Sequence, residues 1–229
     1  MYMDVKAELE SLADSEYRDF TSALIPNVEK SRVIGVRLPQ IKKLADRVAK
    51  NGWREFLSQE PGDTLEEKLL RGFVIGRVKL PIEEHLELVR DFVPLIDCWS
   101  VCDSFVTSLK FVRKNRAEVW EFIKPYFFSS KPYDVRFAVV MTLGYFSDEE
   151  YADRAFRIFD SIENNDYYVS MAAAWAVSVF FVHAPEQTWR YLRSNCLDDD
   201  THNKALRKII ESRRVSDEDK TIIRTLKRA

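Results

Sequence analysis

Between Leu95 and Val112, Leu95, Cys98, Cys102, Phe105, Leu109 and Val112 align as one apolar stripe, the three- and four-residue spacing that one face of an α-helix requires. Trp99, Asp103 and Lys110 occupy the neighbouring stripe, since residues four apart lie one above the other. That flank is either a partly wet surface or the wall of a groove. The same period continues along most of the chain. From Thr64 onward it predicts helices in pairs: residues 65–79 with 82–95, 99–112 with 117–127, 134–146 with 148–161, 167–182 with 185–192, and 201–212 with 216–226. Thr64 with Glu67, and Ser147 with Glu150, have the spacing of capping boxes, and Pro81 suits a first helical turn. Only six glycines interrupt the pattern.

Helix pairs that recur every few dozen residues without strict identity are the mark of a helical solenoid. The expected fold class is all-α: one helical-repeat domain over residues 1–229, its pairs stacked into a superhelix with a concave groove. The segment DVRFAVVMTLG, Asp134 to Gly144, resembles the first helix of a HEAT repeat, and YYVSMAAAWAV, Tyr167 to Val177, has similar character. The alanines of the second segment let a neighbouring helix approach closely.

Composition narrows the setting. Hydrophobic residues make up 46% and charged residues 31%, which is ordinary for a globular chain. The 35 Lys and Arg against 37 Asp and Glu leave a net charge of −2, so contact with phosphate requires a locally basic face. Cys98, Cys102 and Cys196 make neither an even disulfide set nor a CxxC knuckle, and the first two, on the apolar stripe, read as buried free thiols. His85, His183 and His202 are too scattered to propose as a ligand set, and no metal is expected. The acidic N-terminal stretch does not read as a signal peptide, and no apolar run reaches membrane-spanning length. A cytoplasmic monomer with no membrane partner is expected.

Asp103, Arg136 and Trp175 each fall inside the first helix of a successive pair, so a regular superhelix brings them to one side. Each is out of place locally. Arg136 is the one positive charge in a helix that is apolar nearly all round, and Trp175 is a large ring in a row of alanines. Taken singly, pairing of Arg136 with Asp134 or Asp166, and core filling by Trp99 and Trp175, account for them. Taken together, two indoles, a carboxylate and a guanidinium facing one groove describe a site. Near the C-terminus Lys204, Arg207, Lys208, Arg213 and Arg214 form either a basic lip or a solvated helix face.

At these positions the chain resembles the AlkD-like DNA alkylation repair family, helical-repeat DNA glycosylases that release positively charged alkylpurines. The family's Trp followed four residues later by Asp matches Trp99 and Asp103 in WSVCD. Its arginine-bearing helix matches Arg136 in RFAVV, its alanine-rich helix with a tryptophan matches Trp175 in AAAWAV, and its Gly-Ile/Val-x-x-Pro turn matches GVRLP, Gly35 to Pro39. The resemblance implies hydrolysis of the N-glycosidic bond of N3- or N7-alkylpurines in double-stranded DNA. It implies Trp99 and Trp175 as faces for the cationic base, worth up to about 2 kcal/mol when desolvated. Asp103 would stabilise the oxocarbenium-like sugar or position water, and Arg136 would anchor a phosphate. That chemistry takes no metal or organic cofactor.

Three features depart from the family pattern. Active relatives carry a basic, aromatic N-terminal helix, whereas here Pro26 should break the corresponding stretch YRDFTSALIPNVEKSRVIG. Cys98 stands where a second aromatic is common, and AVSVFF follows where basic residues are common. Two functions of different class therefore stay open: an alkylpurine DNA glycosylase, and a non-catalytic helical-repeat scaffold that binds DNA weakly or a protein on its concave face.

Overall fold

The computed structural model describes residues 4–229. Among them all regular structure is helical, and the chain divides into two compact units, one ending at Asn115 and the other beginning at Arg116. The first unit holds α1 (Val5–Ser11), α2 (Ser15–Leu24), α3 (Leu38–Lys50), α4 (Trp53–Ser58), α5 (Leu65–Ile75), α6 (Ile82–Phe92) and α7 (Trp99–Ser108). Short 3-10 turns occur at Lys30–Arg32, Val93–Leu95 and Lys110–Lys114. The second unit holds α8 (Arg116–Ile123), a 3-10 turn at Lys124–Phe128, then α9 (Pro132–Tyr145), α10 (Glu149–Phe159), α11 (Tyr167–His183), α12 (Pro185–Arg193), α13 (Asp199–Glu211) and α14 (Asp217–Arg224).

The expected all-α, repeat-like packing is present within each unit. In the first, α3 packs on α5 and α5 on α7; in the second, α9 packs on α11, α11 on α13, and α10 on α12. The first helices of successive pairs thus lie side by side, which explains their composition. A helix flanked on two sides must be apolar nearly all round, and in α11 the buried Ala172, Ala173, Ala174 and Ala176 also keep the flanking helices close. By contrast α10 buries one stripe only, Tyr151, Ala152, Ala155, Phe156 and Phe159. Its rings interlock with neighbours: Tyr151, Phe146 and Trp120 have centroids 4.9 to 5.2 Å apart, and Phe156 stacks on Tyr191 at 4.2 Å. Such pairs add about 0.5–1.5 kcal/mol each beyond the area they bury.

Several predicted boundaries shift for tertiary reasons. The capping box at Thr64 and Glu67 forms as expected. The one expected at Ser147 and Glu150 does not: Asp148 takes the N-cap position without a side-chain capping bond, and both Asp148 and Glu150 are ion-paired to Arg116. Helix α5 stops at Ile75 rather than 79, and its C-cap Gly76 lies hard against α7, where an added Cβ would sit 2.2 Å from Ser108 Oγ. The helix expected over 99–112 leaves α geometry at Leu109 and continues as a 3-10 turn. Pro26 acts as expected, with α2 ending two residues before it.

A turn in the first unit is held by a residue that local pattern does not mark. The backbone N–H groups of Ile34, Gly35 and Val36 all donate to the Glu66 carboxylate, at 2.9, 2.7 and 3.1 Å. Gly35 has φ +95°, which lets three successive N–H groups converge on one anion. Glu66 is only 1% exposed and stands in the first turn of α5, where the helix dipole also favours its charge. An added Cβ on Gly35 would lie 2.3 Å from the Asp14 carbonyl oxygen, so the turn also seats the start of α2.

Candidate nucleic-acid interface

In the first unit, Trp99 opens α7 and Asp103 follows one turn later, both half-buried. Most of the apolar stripe beside them is sunk: Cys98, Cys102, Phe105, Leu109 and Val112 are buried and Leu95 is half-buried. Burial pushes the Cys98 thiol up to about 11, which makes it a core residue rather than a nucleophile, while Cys196 is exposed. Trp99 is held by more than packing, because its indole N–H donates to the Leu24 carbonyl at the end of α2, at 3.0 Å. Two residues earlier the Asp97 carboxylate accepts from Arg32 Nη2 at 2.6 Å and Lys68 Nζ at 2.7 Å, and Asn27 donates to the Asp97 carbonyl at 2.6 Å. This clamp ties the segment after α2 to the entry of α7 and fixes where the Trp99–Asp103 flank begins. Its members are 29 to 70 residues apart in the chain, a separation at which no local spacing signals them.

The second unit contains the remaining candidates. Arg136 on α9 is 6% exposed, and its Nη1 donates to the Tyr168 carbonyl at 2.8 Å. Asp134 accepts from the Ser129 hydroxyl and Asp166 caps α11 by accepting from the Tyr168 amide. Lys204 on α13 is ion-paired to Asp200 and lies 5.1 Å over the Tyr167 ring. Arg136 and Lys204 thus both meet the first turn of α11, where Tyr167 is exposed and Tyr168 lies 5.6 Å from Tyr133. These tyrosines escape a reading based on charge, although the doublet at a helix start, on the segment already marked by its alanines, is the available signal. Trp175 is 36% exposed, two turns along α11 on the stripe that also carries Tyr167 and Met171. Arg207 is exposed, Lys208 half-buried, and Arg213 and Arg214 exposed, with Arg214 Nη2 3.0 Å from His183 Nε2.

The other two histidines are interior. His85 stacks on Phe111 at 3.8 Å with Nε2 on the Ile75 carbonyl, and His202 lies between Asn195 and the Leu226 carbonyl. Burial lowers the pKa of both. Among the described residues no group of three or more His, Cys, Asp or Glu is placed to hold a metal ion, and no helix is long and apolar enough to cross a membrane.

Within each unit the helices pack in a repeat-like order, with a half-buried indole and carboxylate on α7 in the first and a buried guanidinium on α9 and an exposed indole on α11 in the second; the fold is that of an all-α helical-repeat protein. A family model described as DNA alkylation repair enzyme matches residues 5–211, and the chain belongs to that family. No curated protein matches the sequence.

Proposed function

We propose that the chain acts as a DNA glycosylase, hydrolysing the N-glycosidic bond of cationic N3- or N7-alkylpurines in duplex DNA. The observation that carries this reading is Asp103, a half-buried carboxylate one turn from Trp99 and the one charged residue on its helix in a DNA alkylation repair protein. When the C1′–N bond breaks, its electron pair goes to the purine nitrogen and cancels the charge on the base. The sugar is left as an oxocarbenium-like cation, to which water adds at C1′ with loss of a proton to solvent. Asp103 stabilises the positive charge as it develops, so its contribution is larger in the transition state than in the ground state. The indoles of Trp99 and Trp175 are assigned to the cationic base. Arg136, Lys204, Arg207 and Lys208 are assigned to phosphates, where they position the duplex without reading its sequence.

A second reading, a non-catalytic DNA-binding scaffold, is favoured by two contacts. The Trp99 N–H is committed to Leu24 and the buried Arg136 to Tyr168, which are structural uses of both side chains. Release of methylated base from N-methylated duplex separates the two. Under the glycosylase reading Asp103→Asn lowers the single-turnover rate by about 10²–10³ while duplex affinity stays within about threefold. Absence of any base release by the unaltered protein at high concentration and low salt leaves the scaffold.

A further inference from the structure

The first unit contains a pocket of about 400 Å³ where α3, α5 and α7 meet, lined by the cations Lys42, Arg77 and Lys110, the hydroxyls of Ser104, Thr107 and Ser108, and Asp46. We infer that this pocket binds a phosphate oxyanion, and that its source is a backbone phosphodiester of duplex DNA next to the nucleotide at Asp103.

The charge balance favours an anion. Three cations face one carboxylate, and that carboxylate is already ion-paired to Arg77. Arg77 also donates to the Phe73 carbonyl at 3.1 Å, so its charge is largely used within the protein. Neither Lys42 nor Lys110 has an ion-pair partner among the described residues, and both are exposed. Lys42 Nζ and Arg77 Cζ each lie 5.4 Å from the centroid of the Phe73 ring. That ring offsets part of their mutual repulsion, but a bound oxyanion removes it more completely. The ends of α5 and α7 present carbonyls here, which alone would disfavour an anion by about 0.3–1 kcal/mol. Lys42 reaches the same pocket from α3 and offsets part of that dipole, so the net positive charge of the lining, not the helix ends, favours the anion.

Of the three hydroxyls, Ser104 is left to donate to a ligand, since Thr107 donates to the Asp103 carbonyl and Ser108 to the Phe105 carbonyl. Ser104 follows Asp103 directly on α7, and Thr107 lies one turn beyond Asp103. Gly76 brings the end of α5 against Ser108, closing the floor. One helical turn, about 5.4 Å, separates Asp103 from Thr107, a spacing comparable with that between a nucleotide's sugar and its own phosphate. The pocket and Asp103 thus take adjacent parts of one nucleotide. The inference rests on the duplex-binding half of the function proposed above and not on base excision.

The test compares the unaltered protein with the double variant Lys42→Gln, Lys110→Gln, both at exposed positions and checked for an unchanged melting temperature. Duplex affinity is measured on unmodified DNA across a salt series, and inorganic phosphate binding by ³¹P line broadening. Loss of one phosphate contact should reduce the slope of log K against log salt by about 0.9 and affinity at 0.1 M salt by about tenfold. If the unaltered protein does not hold duplex but binds inorganic phosphate, and the variant does not, the oxyanion site stands with free phosphate as its source, and duplex binding is what fails. If the variant matches the unaltered protein in both measurements, or neither ligand binds either protein, the inference is overturned.

Discussion

Replacing Glu66 by glutamine keeps the shape of the side chain and removes its charge, in the place where three backbone N–H groups depend on that charge. In the native turn Oε1 accepts from Gly35 and Val36 and Oε2 accepts from Ile34. A glutamine oxygen can keep the first pair, but its NH₂ then faces the Ile34 N–H, donor against donor. One hydrogen bond to a charged group is lost, worth about 1.5–3 kcal/mol, and the two that remain weaken to neutral strength. The expected cost is about 3 kcal/mol, which for a chain of this length lowers the melting temperature by about 6–12 °C. Thermal unfolding gives the global value, and amide exchange at Ile34, Gly35 and Val36 reports the turn itself. A melting point within about 2 °C of the unaltered protein, with those amides equally protected, would refute the claim that the carboxylate holds the turn.

Four other outcomes are expected. Burial depresses the pKa values of His85 and His202 below the ordinary 6.5, so the folded state binds fewer protons than the unfolded state. The associated stability is complete above about pH 6.5 and is lost as pH falls through the depressed values; urea midpoints between pH 7.5 and 5.5 should decline, and a flat profile contradicts this. Trp99→Phe removes the donor to Leu24, costs about 1 kcal/mol, and should speed amide exchange around residues 22–28; unchanged exchange there means that the bond does not anchor α2. A thiol reagent on native protein should modify Cys196 rapidly, with Cys98 and Cys102 reacting only after unfolding, given their burial. Arg207→Glu with Lys208→Glu should weaken duplex binding and flatten its salt dependence by about one to two units of slope, whereas an unchanged slope assigns both residues to solvent.

The amino-acid sequence by itself determined what depends on near neighbours. The helical period, the pairing of helices, the buried thiols of Cys98 and Cys102, the Thr64–Glu67 box and the stop before Pro26 all follow from interactions within a few residues, and the fold shows each of them. The placement of Trp99 and Asp103 one turn apart on a helix flank is of the same kind. Tertiary structure decided the rest, because the partners come from distant elements. Arg116, more than thirty residues from Asp148 and Glu150, pairs with both and takes the Glu150 carboxylate that a second capping box would have used. Glu66 looks in sequence like one more acid in a helix's first turn, and only the arrival of residues 34–36 turns it into a buried anchor. Arg136 stands out as an isolated charge, yet its burial against Tyr168 depends on how α9 lies on α11. A local pattern records which residues can share a face. Which polar group from thirty residues away will meet that face is settled by packing, since a buried donor or acceptor must find its partner wherever the chain brings one.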